Sequence, residues 1–237
     1  MSYANGPRIV TDGLVLHLDA ANRKSYPLSG STIYDLSGNG NNGTFGASTA
    51  APTFSGDNGG CLSFDGFNDY VSKSSWTNPP TNIFSIGCWV RFSDNVNDRY
   101  VLSFGRDIGG VTGGIALFAY GFNVVSDVLV FECGSAVGRV SSGIVPTLNV
   151  WYYLTATADG TNTKFYLNGD LKNTSSQGSG AIASSPTLSI GSYVNNLGTP
   201  GTYFHSGNIA QVSIYNRALI QQEIQQNYNV LKGRYGL

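Results

Sequence analysis

The chain has 237 residues, only 11% of them charged, and a formal net charge of −1. An average soluble domain carries roughly 25% charged residues, so long salt-bridged helices are excluded. The absence of any Lys/Arg run removes the electrostatic footprint needed to grip a nucleic-acid backbone or an anionic bilayer. Neither nucleic acid nor membrane is expected as a partner. The first seven residues lack a basic and apolar leader, and no apolar run reaches 18 residues, so synthesis in a cytosol without a signal peptide is expected. Cys61, Cys88 and Cys133 are odd in number and far apart. They read as small buried apolar residues, with neither zinc-site spacing nor disulfide density.

After a short N-terminal arm over 1–12, the first strand expected is 14–19, and a second covers 61–72. In 84–92, strict alternation places Phe84, Ile86, Cys88, Val90 and Phe92 on one side and Ser85, Gly87, Trp89 and Arg91 on the other, the pattern of a half-buried strand. Further strands are expected over 100–104, 115–122 and 128–133. Residues 151–157 and 163–167 flank Ala158, Asp159 and Gly160, and Asn168-Gly169 then offers the positive-φ pair of a type I′ turn, giving two successive hairpins. The Ser/Gly stretch 174–180 reads as a surface loop before strands at 187–193 and 209–215. Only the C-terminus reads as a helix, over about 217–232. Ile220, Ile224, Tyr228 and Leu231 recur at helical spacing there, and Gly233 is placed to end it. Many short strands separated by turn residues predict an all-β, antiparallel two-sheet sandwich forming one domain over 13–237.

Four segments in this order, 64–71, 84–92, 151–169 and 207–215, resemble the laminin G-like, concanavalin A-like jelly-roll family over nearly the whole chain. Within the first, Gly66 supplies a turn and Asn68 and Asp69 its polar side-chain bonds. More narrowly, 13–26, 34–43 and 226–236 look like virion proteins of tailed bacteriophages, including those infecting cyanobacteria. That resemblance implies a place in a virus particle, oligomerisation there, and other virion proteins as partners, docked through the arm or the sandwich edges. The family pattern Ala-Leu-Ser ahead of a Glu departs here to Ala218, Leu219 and Ile220 ahead of Glu223, removing a reciprocal helix cap worth about 1 kcal/mol.

The fold also hosts glycoside hydrolases, which need two carboxylates flanking the scissile bond. Glu132 and Glu223 are the only glutamates, Glu223 falls on the helix, and no Glu-x-Asp-x-x-Glu strand exists. His17 and His205 belong to no nucleophile or metal motif, and the glycines of 109–114 precede a strand and not a helix, so no phosphate cradle forms. No catalytic residue and no cofactor are expected. Asp35, Ser37 and Asn39 place oxygens at alternate positions ahead of Gly40, but Gly46 stands where a calcium loop has its bidentate Glu. The resemblance implies a structural calcium near such loops; Asp35, Asn39, Asp65 and Asp69 are the candidates, against a turn stitched by Asx and Ser hydrogen bonds. Trp76, Tyr120, Tyr193 and Tyr203 stand at loops or strand ends and are the candidates for stacking on a sugar. The expected function is a non-enzymatic virion component presenting a lectin-like sandwich for protein or host-surface contact. A lectin module that recognises a bacterial surface glycan is the alternative, and a glycan hydrolase ranks third.

Overall fold

The computed structural model of the chain describes residues 8–96, 98–105, 115–120, 128–133, 139–176, 187–194 and 199–237, with main chain only for 115–120. In chain order the strands are β1 (Leu14–Asp19), β2 (Thr32–Ile33), β3 (Gly43–Phe45), β4 (Thr53–Ser55), β5 (Cys61–Asp65) and β6 (Val71–Lys73). There follow β7 (Ile83–Phe92), β8 (Arg99–Gly105), β9 (Ile115–Tyr120), β10 (Leu129–Cys133), β11 (Val140–Ser141) and β12 (Trp151–Asp159). The last are β13 (Asn162–Leu167), β14 (Asp170–Ser176), β15 (Thr187–Ile190), β16 (Tyr193–Val194), β17 (Pro200–Thr202) and β18 (Ser206–Tyr215), before the helix α1 (Gln221–Leu231).

Two antiparallel eight-stranded sheets face each other. The first runs β14-β13-β12-β7-β18-β5-β4, the second β11-β10-β9-β8-β15-β6-β3-β2, and β16-β17 form a separate pair. In the first sheet β18 is shared along its length: residues 206–209 pair with β5, and 211–215 pair with β1. Phe84, Ile86, Cys88, Val90 and Phe92 of β7 all point into the core, where they meet Leu102, Phe104, Phe131 and Ile190 from the second sheet. Burying side chains of this size contributes roughly 1.5–3 kcal/mol each.

The opposite face of β7 is covered as well, so the strand is not half-buried as alternation suggested. Trp89 is enclosed by Tyr153, Tyr228 and Tyr235, with Tyr235 stacked on it at 4.1 Å between ring centroids. Helix α1 and a 3₁₀ turn over Lys232–Tyr235 supply this cover. Arg234 fastens the turn: Nε donates to the Asn58 carbonyl, Nη2 to the Gly60 carbonyl, and Nη1 pairs with Asp19 at 2.9 Å.

The remaining departures are local. Residues 61–72 are two strands, β5 and β6, in different sheets, because Gly66 at φ +78 turns the chain across the end of the sandwich. Gly191 similarly separates β15 from β16. Residues 174–176 belong to β14, while 177–180, like the glycines of 109–114, lie outside the described residues. The helix starts at Gln221 and not 217, and Gly236 in the left-handed region, not Gly233, follows its final turn. Ile220 is the extended N-cap residue and stands 59% exposed, outside the helix's apolar stripe. Its side chain offers no acceptor, so half of the cap survives: Glu223 Oε2 accepts from the Ile220 N–H at 3.0 Å. A bidentate pair with Arg217 holds Glu223 in place and lowers its carboxyl's pKa. Of the N-terminal arm, 1–7 lie outside the described residues, and Val10 packs under α1, its N–H donating to Asn227 Oδ1. The three cysteines are free and buried. No helix among the described residues is long and apolar enough to cross a membrane.

Removing Arg234 uncovers Asp19 and two carbonyls. Arg234→Ala is expected to cost about 2–3 kcal/mol, read as a lower urea midpoint at unchanged slope. An unaltered midpoint would show the Arg234 contacts to be dispensable.

Candidate functional site

One end of the sandwich is organised around Arg99, the first residue of β8. Its Nη1 donates to the Gly66 carbonyl at 2.8 Å and to the Phe204 carbonyl at 2.9 Å, while Nε and Nη2 grip Asp94. Three connections are thereby tied together: the β5–β6 turn, the start of the β7–β8 loop, and the segment entering β18. Burial disfavours the charged Asp94, but hydrogen bonds led by Arg99 outweigh it and hold the carboxyl below its ordinary range.

Tyrosines gather beside this clamp. Tyr203 stacks on Tyr100 with centroids 5.2 Å apart, and Tyr193 meets Tyr100 and Tyr203 edge-on at 5.3 and 5.9 Å. Tyr100 is buried, which pushes its phenol well above the ordinary value. Tyr203, at φ +58 and 49% exposed, offers part of its ring to solvent, and the Tyr100 N–H donates to its carbonyl. Two of the stacking candidates, Tyr193 and Tyr203, are thus brought together with Tyr100, which the sequence pattern placed only in a strand. The main chain of Tyr120 pairs with Arg99, so it reaches the same end; its side chain lies outside the described residues. Trp76 is elsewhere, packed edge-on against Phe104 at 5.1 Å and partly buried on the core.

Across Arg99, the β5–β6 turn carries Asp65 and Asp69. Asp65 Oδ1 accepts from the main-chain N–H groups of Phe67 and Asn68, and Asp69 Oδ2 accepts from Asp65 N. Both acids line a cleft with Ser48, Thr49, Thr53 and Ser63. Asp69 is only 5% exposed, and burial raises its pKa despite that hydrogen bond. Phe67, at the tip of the same turn, is 77% exposed.

Asp35 and Asn39 occupy another loop. Asp35 accepts from His17 N, Ser37 N, Ser37 Oγ and Asn41 N, and Asn39 Nδ2 donates to the Leu14 carbonyl and Ser37 Oγ. This is the stitched turn, and Asn41 links it to Thr77 beside Trp76. With its carboxylate committed to four donors, Asp35 does not fit a cation. No group of three His, Cys, Asp or Glu residues that could hold a metal ion exists among the described residues, so Asp35 is not gathered with Asp65 and Asp69. The latter pair retains oxygens open to its cleft.

Beneath the clamp, His205 is fully buried between Phe64 and Phe92, and neither ring nitrogen has a hydrogen-bond partner among the described residues. Burial lowers its pKa to about 3, and the nearby Arg91 carbonyl offsets this only in part. The folded value lies below the unfolded one, so the unfolded chain binds the extra proton. His205 therefore contributes no penalty above about pH 6.5 and progressively destabilises the fold as pH falls towards 3, by up to roughly 1.4 kcal/mol per unit. Acid titration of stability should show a shallower decline in His205→Leu; identical slopes would place the acid sensitivity elsewhere.

Two carboxylates without a third acid make a poor calcium cage. Melting curves with millimolar calcium and with chelator are expected to coincide, whereas a rise with calcium would locate a stabilising ion, since a ligand of the folded state alone must raise Tm.

The sequence profile of Laminin_G_3, the concanavalin A-like lectin/glucanases superfamily, matches residues 64–225. No curated protein sequence matches the chain. Among solved structures, domain 4 of AbnA, a GH43 extracellular arabinanase from Geobacillus stearothermophilus, in complex with arabinotriose, is similar at TM-score 0.66 and 16% identity, over 92% of this chain and 98% of that one. The binding domain of Paraclostridial Mosquitocidal Protein 1 is similar at TM-score 0.63 and 17% identity, over 92% of this chain and 52% of that one. The botulinum neurotoxin serotype D binding domain follows at TM-score 0.61 and 15% identity, over 93% and 52%. The chain spans about half the length of these two toxin domains, and at such identities the likeness is one of fold. The profile match covers more than half of the residues: the chain belongs to the concanavalin A-like lectin/glucanases superfamily, in its Laminin_G_3 family.

Proposed function

We propose that this protein is a non-catalytic, lectin-like module that binds a glycan at its Arg99-clamped end, as a virion component that contacts the host surface. The observation that carries the reading is Tyr203: a ring half open to solvent yet fixed by stacking on Tyr100 and by the edge of Tyr193. An exposed aromatic already held in place binds without the ordering cost that a mobile one incurs. Asp65, Asp69 and the hydroxyls of their cleft stand on the other side of the clamp, supplying the polar groups that orient a sugar.

The non-catalytic part rests on what the acids do. Glu132 is paired with Arg139 and Glu223 with Arg217, so both glutamates are engaged as structural partners. Asp19, Asp57, Asp94 and Asp159 are likewise in ion pairs. The virion context rests on the resemblance of 13–26, 34–43 and 226–236 to tailed-phage proteins. Similar structures whose names describe binding domains, and one determined with arabinotriose, support a binding role for the fold.

A glycan array probed with the purified protein should show reproducible binding that Tyr203→Ala weakens by about tenfold or more, while circular dichroism and Tm stay close to the parent. A stacking contact is worth on the order of 1 kcal/mol or more, and a loss below twofold would remove Tyr203 from the site. Release of reducing ends from a bound glycan would overturn the non-catalytic reading.

A further inference from the structure

The charge around this end is one-sided. Asp65 is exposed at the turn, and Asp69 lies in the wall of the cleft beside it. The arginines of the neighbouring strands are both spent within the protein. Arg99 is shared among Asp94 and the carbonyls of Gly66 and Phe204, and Arg91 donates to Asn208 Oδ1 and to Asp57. None of the cleft's lining residues is a cation: Ser48, Thr49, Thr53 and Ser63 are hydroxyls, and the acids Asp65 and Asp69 complete the polar set.

The carboxylates are also incompletely satisfied. Asp69, although more than nine-tenths buried, receives one hydrogen bond among the described residues, on Oδ2, so Oδ1 is left for a donor in the cleft. A ligand that answers Asp69 Oδ1 must bring an O–H or N–H donor. Phe67 at 77% exposure and Tyr203 across the clamp add two aromatic surfaces, on segments tied to one guanidinium through Gly66 and Phe204.

From these placements we infer that the site selects glycans by charge: it takes neutral or amino sugars and rejects those bearing carboxylate, sulfate or phosphate. The inference rests on the glycan-binding reading and adds the class of sugar. An anionic group brought within a few ångströms of Asp65 meets a like charge, and no cation among the cleft's described lining residues offsets it. At the effective dielectric of a partly exposed site that repulsion weakens binding by about fivefold to tenfold or more. An amino sugar meets the same carboxylates as a hydrogen-bonding counter-charge.

The test is an array of neutral, amino, uronic-acid and phosphorylated oligosaccharides, read in chelator so that no divalent ion bridges acid to acid. Neutral or amino glycans are expected to bind and anionic ones to bind at least about fivefold more weakly. Asp65→Asn keeps the Oδ1 acceptor for the Phe67 and Asn68 N–H groups and removes the charge, so it should narrow that ratio by about threefold while leaving Tm unchanged. Asp69→Asn provides the same comparison should Asp65→Asn fold poorly. Preferred binding of an anionic class, or a ratio unmoved in both variants, overturns the selectivity. Binding to no class on the array overturns the glycan reading itself, and the selectivity with it.

Discussion

Burial of the β7–β18 pair on both faces is the constraint from which the rest of the structure follows. The inner face is apolar by alternation, as any sandwich requires, but Trp89 on the outer face can be removed from water only by something beyond the sheet. Helix α1 and the turn after it do this through Tyr228 and Tyr235, and Arg234 holds that cover to Asp19, Asn58 and Gly60. Since the cover occupies the outer face of the first sheet, the large aromatic cluster there is packing.

At the end where β5, β7 and β18 meet their loops, the same economy of charge appears on a smaller scale. With few charged residues in the chain, Arg91, Arg99, Arg217 and Arg234 each hold more than one acceptor, and Arg99 joins three connections. A guanidinium suits this role because its planar fork satisfies a carboxylate and two carbonyls at once. Phe67 and Tyr203 are thereby set on restrained segments, and Arg91 and Arg99, the arginines of the neighbouring strands, are engaged within the protein.

Legibility in the sequence followed how local the determining contact was. The alternation of β7 and the Asn168-Gly169 hairpin were readable because side chains two apart and a two-residue positive-φ turn carry their own geometry. The break inside 61–72 was not, since Asp65 to Asp69 read as a turn within one strand, and only the positions of the two sheets show that the halves part company there. Tyr193 and Tyr203 were readable as aromatics near loops, but so was Trp76, which the fold uses against Phe104 instead. Arg99 carried no local signal at all: its partners lie at Asp94, Gly66 and Phe204, and the last two are 33 and 105 residues away.

By itself the sequence determined that this chain forms an antiparallel sandwich with a C-terminal helix, and that its glutamates lack the spacing of a strand-borne catalytic set, because periodicity and spacing are properties of short stretches. Only the tertiary structure decided that Asp35 is consumed by its own loop while Asp65, Asp69, Tyr193 and Tyr203 share one end. It also decided that the apolar stripe of α1 begins at Ile224 and not at Ile220. Those outcomes depend on which distant segments supply the hydrogen-bond donors and the covering rings, and chain closure over tens of residues leaves no periodic trace.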